Sequence, residues 1–330
     1  MLYPDSHIRD DWFEATEQSP TRAGFGTGIV EAATADERVI ALCADLTEST
    51  KVDEFAKKFP HRFIEVGVAE QNLAALASGF AAAGKIPFIT SYAAFNPGRN
   101  NEQIRTTIAL NNVPVKICGM HAGLSVGPDG ATHQALEDIA LMRVLPRMTV
   151  ISPCDAEEAR KATIAAAIHN GPVYMRFARE KTPIMTTADT PFQIGKANLL
   201  WHGSNPQVTV FATGPLVYNA LAAAKELATR GIGSIVVNIH TIKPLDESAV
   251  IEFAGRSGSV VTVEEHQVAG GLGGAIAECL AQTKPYPIEF IGVHDQFGQS
   301  GKSVELYEHY HMDIPSIVEA MNRAIVRKSS

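Results

Sequence analysis

Phe63-Ile64-Glu65-Val66-Gly67-Val68-Ala69-Glu70-Gln71-Asn72-Leu73-Ala74-Ala75-Leu76-Ala77-Ser78-Gly79-Phe80 reads as a short strand that runs through Gly67 directly into a helix of small residues, which continues to Ala83 before Gly84 stops it. The junction leaves Glu70 in the first helical turn, at the C-terminal edge of the sheet, where ligands of open α/β sheets bind. Two readings of Glu70 stand side by side: a carboxylate favoured by the positive end of the helix dipole, and a working acid at a ligand site. The same rhythm extends outward. Short β-branched runs at 39–44, 86–92, 113–118, 148–152 and 172–177 alternate with helical patterns at 101–110, 133–144 and 155–169, the last capped by Asp155. This alternation predicts a parallel sheet covered by helices.

Pro183, Pro191, Gly195 and Pro206 interrupt the pattern, and a second series follows, with strands at 208–212, 234–238, 259–264 and 288–293 and helices at 217–230, 247–255, 274–281 and 314–326. The chain therefore reads as two doubly wound, mainly parallel α/β domains in series. An extension covers 1–19, the first domain 20–182, a linker 183–206 and the second domain 207–330.

The 330 residues carry 28 basic and 36 acidic side chains, a formal net charge of −8, with 45% hydrophobic and 19% charged residues. This globular composition excludes a disordered or collagen-like chain, and the acidic balance argues against a nucleic-acid binder. Cys43, Cys118, Cys154 and Cys279 lie far apart with no Cys-x-x-Cys, so neither a zinc site nor a redox motif is expected. The N-terminus is polar and acidic, without a leader pattern, and no window reaches the roughly 18 unbroken apolar residues of a membrane span. A soluble cytoplasmic protein is the expectation.

A Gly-rich stretch after a strand, Gly119-Met120-His121-Ala122-Gly123-Leu124-Ser125-Val126-Gly127-Pro128-Asp129-Gly130-Ala131-Thr132-His133-Gln134, gathers two histidines and an aspartate. A metal site is one reading, weakened by the absence of close histidine pairing; a polar substrate loop is the other.

On these residues the chain resembles the transketolase family of thiamine-diphosphate enzymes. Gly67-Val68-Ala69-Glu70-Gln71-Asn72 is similar to the segment whose glutamate hydrogen-bonds N1′ of the cofactor's aminopyrimidine, which implies that Glu70 activates the cofactor. Ser91-Tyr92-Ala93-Ala94-Phe95 resembles the segment that stacks on that ring, which implies Tyr92 and Phe95 as an aromatic wall; Arg99 is left without a role. The 119–134 stretch resembles the family's His-x-Ser-x-Gly-x-Gly-x-Asp-Gly-Pro-Thr-His-Gln loop. It implies His133 as a donor near cofactor and substrate carbonyl, Asp129 as partner of an acceptor hydroxyl, and His121 as a phosphate ligand. Thr21-Arg22, Ala44-Asp45-Leu46-Thr47-Glu48-Ser49 and Arg179 resemble the other phosphate positions, so Arg22, Ser49, His121 and Arg179 are the implied clamp. Guanidinium forks match phosphate geometry. Asp45 is implied beside the thiazolium, and Arg176 is a second candidate for the place given to Arg179.

The second domain offers less. Val268-Ala269-Gly270-Gly271-Leu272-Gly273-Gly274 superficially suggests a dinucleotide fingerprint, but the third glycine position falls on Ile276 and the signal fails. Close helix packing or an anion at a helix start is expected there, and the stretch around Glu264-Glu265-His266 is read as dimer packing.

Gly-Asp-Gly, the family's mark of the domain that binds the diphosphate through magnesium, does not occur in this sequence. The resemblance runs from about Thr21 to the end yet matches only the C-terminal half of a full-length transketolase. It implies a subunit without metal ligands of its own, active with an N-terminal chain that carries Gly-Asp-Gly and Mg²⁺, in an α2β2 assembly. The implied reaction moves a two-carbon ketol unit from a ketose phosphate to an aldose phosphate. Two alternatives stand beside it: a subunit of a sibling thiamine enzyme, either deoxyxylulose-phosphate synthase-like or the β subunit of a 2-oxoacid dehydrogenase, and a non-catalytic regulatory half-enzyme. The set Arg22, Ser49 and His121 speaks against the first, and retention of Glu70, Asp129 and His133 against the second.

Overall fold

The structure, a computed structural model, describes residues 1–14 and 17–329. Its first strands are β1 (Gln18–Ser19), β2 (Val39–Cys43), β3 (Phe63–Glu65), β4 (Ile86–Tyr92), β5 (Lys116–Met120), β6 (Thr149–Ile151) and β7 (Val173–Arg176). They are followed by β8 (Thr182–Pro183), β9 (Asn198–His202), β10 (Pro206–Ala212), β11 (Gly233–Asn238), β12 (Thr241–Lys243), β13 (Val260–Gln267) and β14 (Ile288–Val293). One sheet has the order β12-β6-β7-β5-β4-β2-β3 and a second the order β14-β13-β10-β11-β9. Within each, the pairs are parallel except for the edge strands β12 and β9. The expected pair of mainly parallel α/β units is what forms.

Strand β2 shows why both faces are covered. Ile40 and Leu42 point into a core with Leu73, Ala77, Ile89 and Ile117, whereas Val39, Ala41 and Cys43 point into another with Phe25, Ile29, Phe88 and Met175. A strand buried on both sides is apolar at every position, which is the signal that marked it in the sequence. Against the second face the helix Thr21–Ala35 lies on the helix Ala156–Ile168 so closely that a Cβ on Gly24 would stand 1.8 Å from the Ala156 carbonyl oxygen. All four cysteines are buried and free.

The two units are joined more intimately than a series of domains suggests. Strand β12 crosses over to pair with β6, and the core beneath Ile40 and Leu42 continues through Phe211, Ile235 and Val237 of the second unit. Strand β9, inside the stretch expected to be a linker, completes the second sheet. The N-terminal extension also belongs there: Tyr3 N–H donates to the Leu200 carbonyl at 2.9 Å, and Ile8 and Trp12 are buried with Val208, Val210 and Leu221. Burial of each such side chain is worth about 1.5–3 kcal/mol.

Local pattern erred where long-range contacts compete. The expected helix at 133–144 is helical only over Asp138–Arg143, because Ala135 bridges to Ala122 and the Gln134 amide donates to the Leu124 and Gln299 carbonyls. The helix expected at 101–110 does form, as a short α-turn, Asn101–Gln103, that runs straight into a π-helical stretch, Ile104–Ala109. Ser303–His309 is a further helix that periodicity did not reveal.

His240, fully buried where the units meet, stacks on Phe192 with ring centroids 4.3 Å apart, and burial pushes its pKa down to about 3. An unfolded histidine titrates near pH 6.5, so between about pH 6.5 and 3 the unfolded chain binds the extra proton and stability falls as the pH drops. Urea unfolding at pH 7, 6, 5 and 4 is expected to show a steeper acid-side loss in the parent chain than in His240→Leu. The difference approaches about 1.4 kcal/mol per pH unit; equal slopes would refute it.

Candidate active site

The register of the first sheet sets Cys43, Thr90, Cys118 and Met175 in one row across β2, β4, β5 and β7. The chain therefore leaves all four strands at the same edge, and the segments that emerge carry Asp45 and Ser49, Tyr92 and Phe95, His121, and Arg179. From β2 the chain moves outward to β3 and then returns past β2 to β4, so the gap between β2 and β4 is the point where the strand order reverses, the usual ligand crevice of such sheets.

Glu70 opens the helix Glu70–Ala82 at this crevice and is only 3% exposed. Gly67 turns the chain into that helix with φ +68°. The Glu70 Oε2 accepts a hydrogen bond from Arg99 Nη1 at 3.0 Å, and its main-chain oxygen accepts one from Asn100 Nδ2 at 3.0 Å. Asn100 also donates to Asn96 Oδ1, and Asn96 donates to the Ile89 and Cys118 carbonyls. These two buried asparagines tie the start of the Glu70 helix to the middle of β4 and β5. Their spacing of four residues was the only trace they left in the sequence.

The aromatic residues form one contiguous group with the histidines. Tyr92 and Phe95 are stacked at 6.2 Å, Tyr92 lies on His121 at 4.0 Å, and His133 meets the edges of Tyr92 and Phe95 at 6.0 and 5.5 Å. The Arg99 guanidinium sits 4.7 Å from the Phe95 ring centre, which links this wall back to Glu70.

At the other end lies a cluster of cations. Arg22 Nη1 donates to the Ser49 carbonyl at 2.6 Å and meets His121 Nε2 at 2.9 Å. Because a guanidinium can only donate, Nε2 is the accepting nitrogen and the ring proton sits on Nδ1. Burial, reinforced by the charges of Arg22, Arg179 and His133, pushes the His121 pKa down to about 3, so the ring is neutral. His121 Nδ1 and Arg22 Nε are both buried without a partner. Two buried donors left open beside two guanidiniums describe a seat for an anion. Thr21 Oγ1 accepts the Ala178 N–H at 2.7 Å, which pins the Arg22 helix to the strand exit that bears Arg179. Arg179 itself donates to the Val126 carbonyl at 2.7 Å.

Three expected residues stand differently. Ser49 enters the cluster through its carbonyl oxygen. Asp129 is exposed at the tip of its loop. Asp45 is exposed with φ +59°, its N–H donating to Glu65 Oε1 at 2.7 Å. Glu65, which sequence reasoning passed over, also accepts from Gly67 N–H and Thr47 Oγ1, so it fastens the Asp45 loop to the entry of the Glu70 helix.

Arg176 is removed from the anion cluster. It is buried, donating through Nε to Asp138 Oδ2 at 2.8 Å and through Nη2 to the Glu265 carbonyl at 2.7 Å. No anion site exists at the glycines 270–274 either. The carboxylate of Glu264 already accepts the Leu272 and Gly273 N–H groups at 2.7 Å each, and a Cβ on Gly271 would stand 2.0 Å from its Oε2. Burial nonetheless pushes the Glu264 carboxyl up to about 7. Among the described residues no group of three or more His, Cys, Asp or Glu comes together that could hold a metal ion, and no helix is long and apolar enough to cross a membrane.

The family model of the transketolase pyrimidine-binding domain matches residues 17–185, and that of the transketolase C-terminal domain matches 195–317. The 6-deoxy-6-sulfo-D-fructose transketolase subunit SqwH of Clostridium sp. (strain MSTE9) is 42% identical over 301 residues, 91% of this chain and 93% of that protein. A subunit of the apulose-4-phosphate transketolase of Phocaeicola vulgatus is 36% identical over 293 residues, 88% of this chain and 93% of that protein. A solved structure described as a split-gene transketolase, inactive β4 tetramer, superimposes with a TM-score of 0.87 at 42% identity, covering 94% of this chain and 99% of that one. This chain belongs to the transketolase family and carries its pyrimidine-binding and C-terminal domains.

Proposed function

We propose that this chain is the C-terminal subunit of a split transketolase, moving a two-carbon ketol unit from a ketose phosphate to an aldose phosphate together with a partner that binds the diphosphate of thiamine diphosphate through Mg²⁺. The observation that carries this reading is the unbroken run of contacts from Glu70 through Arg99, Phe95, Tyr92 and His121 to Arg22 and Ser49. It joins an acid, an aromatic wall and an anion seat at one crevice. A flat heteroaromatic ring fits this arrangement: Tyr92 and Phe95 supply ring faces, and Arg99 occupies one Glu70 oxygen, Oε2.

When bound, thiamine diphosphate supplies the carbon nucleophile that ketol transfer needs. Glu70 would share a proton with the ring nitrogen N1′, Tyr92 and Phe95 would hold the ring's face, and Asp45 would serve the thiazolium end. His133 donates at the substrate carbonyl oxygen, Asp129 meets an acceptor hydroxyl, and Arg22, Ser49, His121 and Arg179 seat the terminal anion. Relatives named for a sulfo-sugar and for a sugar phosphate share an anionic terminus, which is the chemistry this seat recognises.

The decisive experiment expresses the chain with its cognate Gly-Asp-Gly subunit and assays the purified complex with thiamine diphosphate, Mg²⁺ and ketose phosphate donors. Activity present in the complex and absent from either chain establishes the reading. Turnover of pyruvate instead would favour a sibling thiamine enzyme, and a complex that neither binds cofactor nor turns over would favour a regulatory role. Within an active complex, Arg22→Gln is expected to raise KM for a phosphorylated donor by about 10- to 100-fold, the worth of a charge-assisted hydrogen bond. An uncharged, unphosphorylated ketose donor such as erythrulose should be unaffected; equal losses for both would remove Arg22 from the anion seat.

A further inference from the structure

We propose that the second α/β unit positions the substrate loop at 123–133, with Glu265 as the principal positioning residue; the consequence for catalysis rests on the function proposed above. The loop lies between β5 and the helix Asp138–Arg143 and carries Asp129 and His133. Three glycines, Gly123, Gly127 and Gly130, bend it with φ of +84°, +74° and +70°. A segment with that much glycine has many conformations open to it, and ordering it requires contacts from outside.

Arg179 of the first unit holds the Val126 carbonyl, and the second unit supplies further contacts. The buried Glu265 carboxylate accepts the Ser125 N–H through Oε1. Ser303 Oγ donates to the Ser125 carbonyl at 3.2 Å, so Ser125 is held on both its main-chain groups. Gln134 Nε2, at the end of the loop, donates to the Gln299 carbonyl at 3.0 Å. At each bend the second unit also stands close. A Cβ on Gly123 would stand 2.5 Å from Glu265 Cδ, on Gly127 3.1 Å from the Gly301 carbonyl oxygen, and on Gly130 2.6 Å from Ser300 Oγ. Gly123 is thus required twice, for its positive φ and for the close approach of the buried Glu265, while Gly127 and Gly130 are required for their positive φ.

Glu265 is itself fixed from the first unit. Arg176 Nη2 donates to its carbonyl at 2.7 Å, while Arg176 Nε holds Asp138, the first residue of the helix that follows the loop. A single rigid connection therefore runs from the strand exit at β7, through Arg176, to the residue that holds Ser125. This gives the second unit a part in the site beyond the dimer packing expected of it. Loss of the Glu265 carboxylate would leave the Ser125 N–H buried without an acceptor and free the loop to leave its seat. Glu70, Tyr92 and Phe95 stand on other segments, so the cofactor's pyrimidine end would keep its wall.

The test uses the complex with the Gly-Asp-Gly subunit and the variants Glu265→Ala, Glu265→Gln and Ser303→Ala. For Glu265→Ala, amide hydrogen exchange across 123–133 should quicken, and KM for a ketose phosphate should rise by about tenfold, with a smaller fall in kcat. Thiamine diphosphate affinity, read by fluorescence quenching, should stay within about twofold. Glu265→Gln retains one oxygen for the Ser125 N–H and should recover most of the loss. Unchanged exchange in Glu265→Ala, or a cofactor affinity that falls in step with KM, would overturn the proposal. Should Glu265→Ala not fold, Ser303→Ala decides: faster exchange at 123–127 supports the seat, and parent-like exchange refutes it. Hydrogen exchange needs no turnover, so an inactive parent complex would sink the functional reading while leaving the seat of the loop to be judged on its own.

Discussion

In a reconstituted complex, Glu70→Gln is expected to lower ketol transfer by about 10²- to 10⁴-fold, the usual contribution of a positioned acid or base. Glutamine keeps the size of the side chain and still meets a hydrogen-bond partner, but it cannot give up or take the N1′ proton. The fold should survive the change. Glu70 is buried, yet the Arg99 side chain that pairs with it is 49% exposed, so the guanidinium left behind remains in water and the pair itself adds little stability. Thermal unfolding should therefore move little while turnover collapses. The check is an initial-rate assay beside a cofactor titration: a Glu70→Gln complex that binds thiamine diphosphate and keeps more than about a tenth of parent activity would remove Glu70 from the reaction.

Arg176→Met is expected to do the opposite, costing about 3–5 kcal/mol of stability because it leaves a buried carboxylate without its cation. Asp138 is 1% exposed, and its Oδ2 accepts from both Arg176 Nε and the Tyr174 hydroxyl, the latter at 2.6 Å. Removing the guanidinium also strips donors from the Ala135 and Glu265 carbonyls. Urea unfolding of the chain is the direct measurement, and a loss under about 1 kcal/mol would show the pair to be dispensable. Arg179→Met, three residues on, should barely change unfolding and should instead weaken binding of the sugar's anionic terminus. The contrast separates two arginines that a reading of the sequence could exchange.

That pair illustrates how far sequence carried the site. Glu70, Tyr92, Phe95, His121, His133 and Arg179 sit on segments that leave the sheet at one edge, Arg22 joins them from the helix ahead of β2 through Ser49 and His121, and strand β2, apolar at every position, announced that sheet plainly. What these residues touch was less accessible. Glu65 and the buried pair Asn96 and Asn100 are ordinary polar residues in a linear text, and they matter because strands distant in sequence end beside them. The glycines 270–274 left close helix packing and an anion both open, and it is packing that forms, with Glu264 of the preceding strand filling the helix start with its own carboxylate.

Alternating strand and helix, the helix start at Glu70 and the residue types of the crevice follow from short-range rules: side-chain period, turn-forming glycine, capping and buried β-branched runs. Such rules act within a few residues and are legible one segment at a time. The loop at 133–137 in place of a helix, the crossing of β12 into the first sheet, the docking of Ile8 and Trp12 and the grip of Glu265 on Ser125 depend on partners 10 to more than 100 residues away. Each is settled by whether a buried polar group or an apolar face finds its complement in the folded chain, a condition that no local pattern contains.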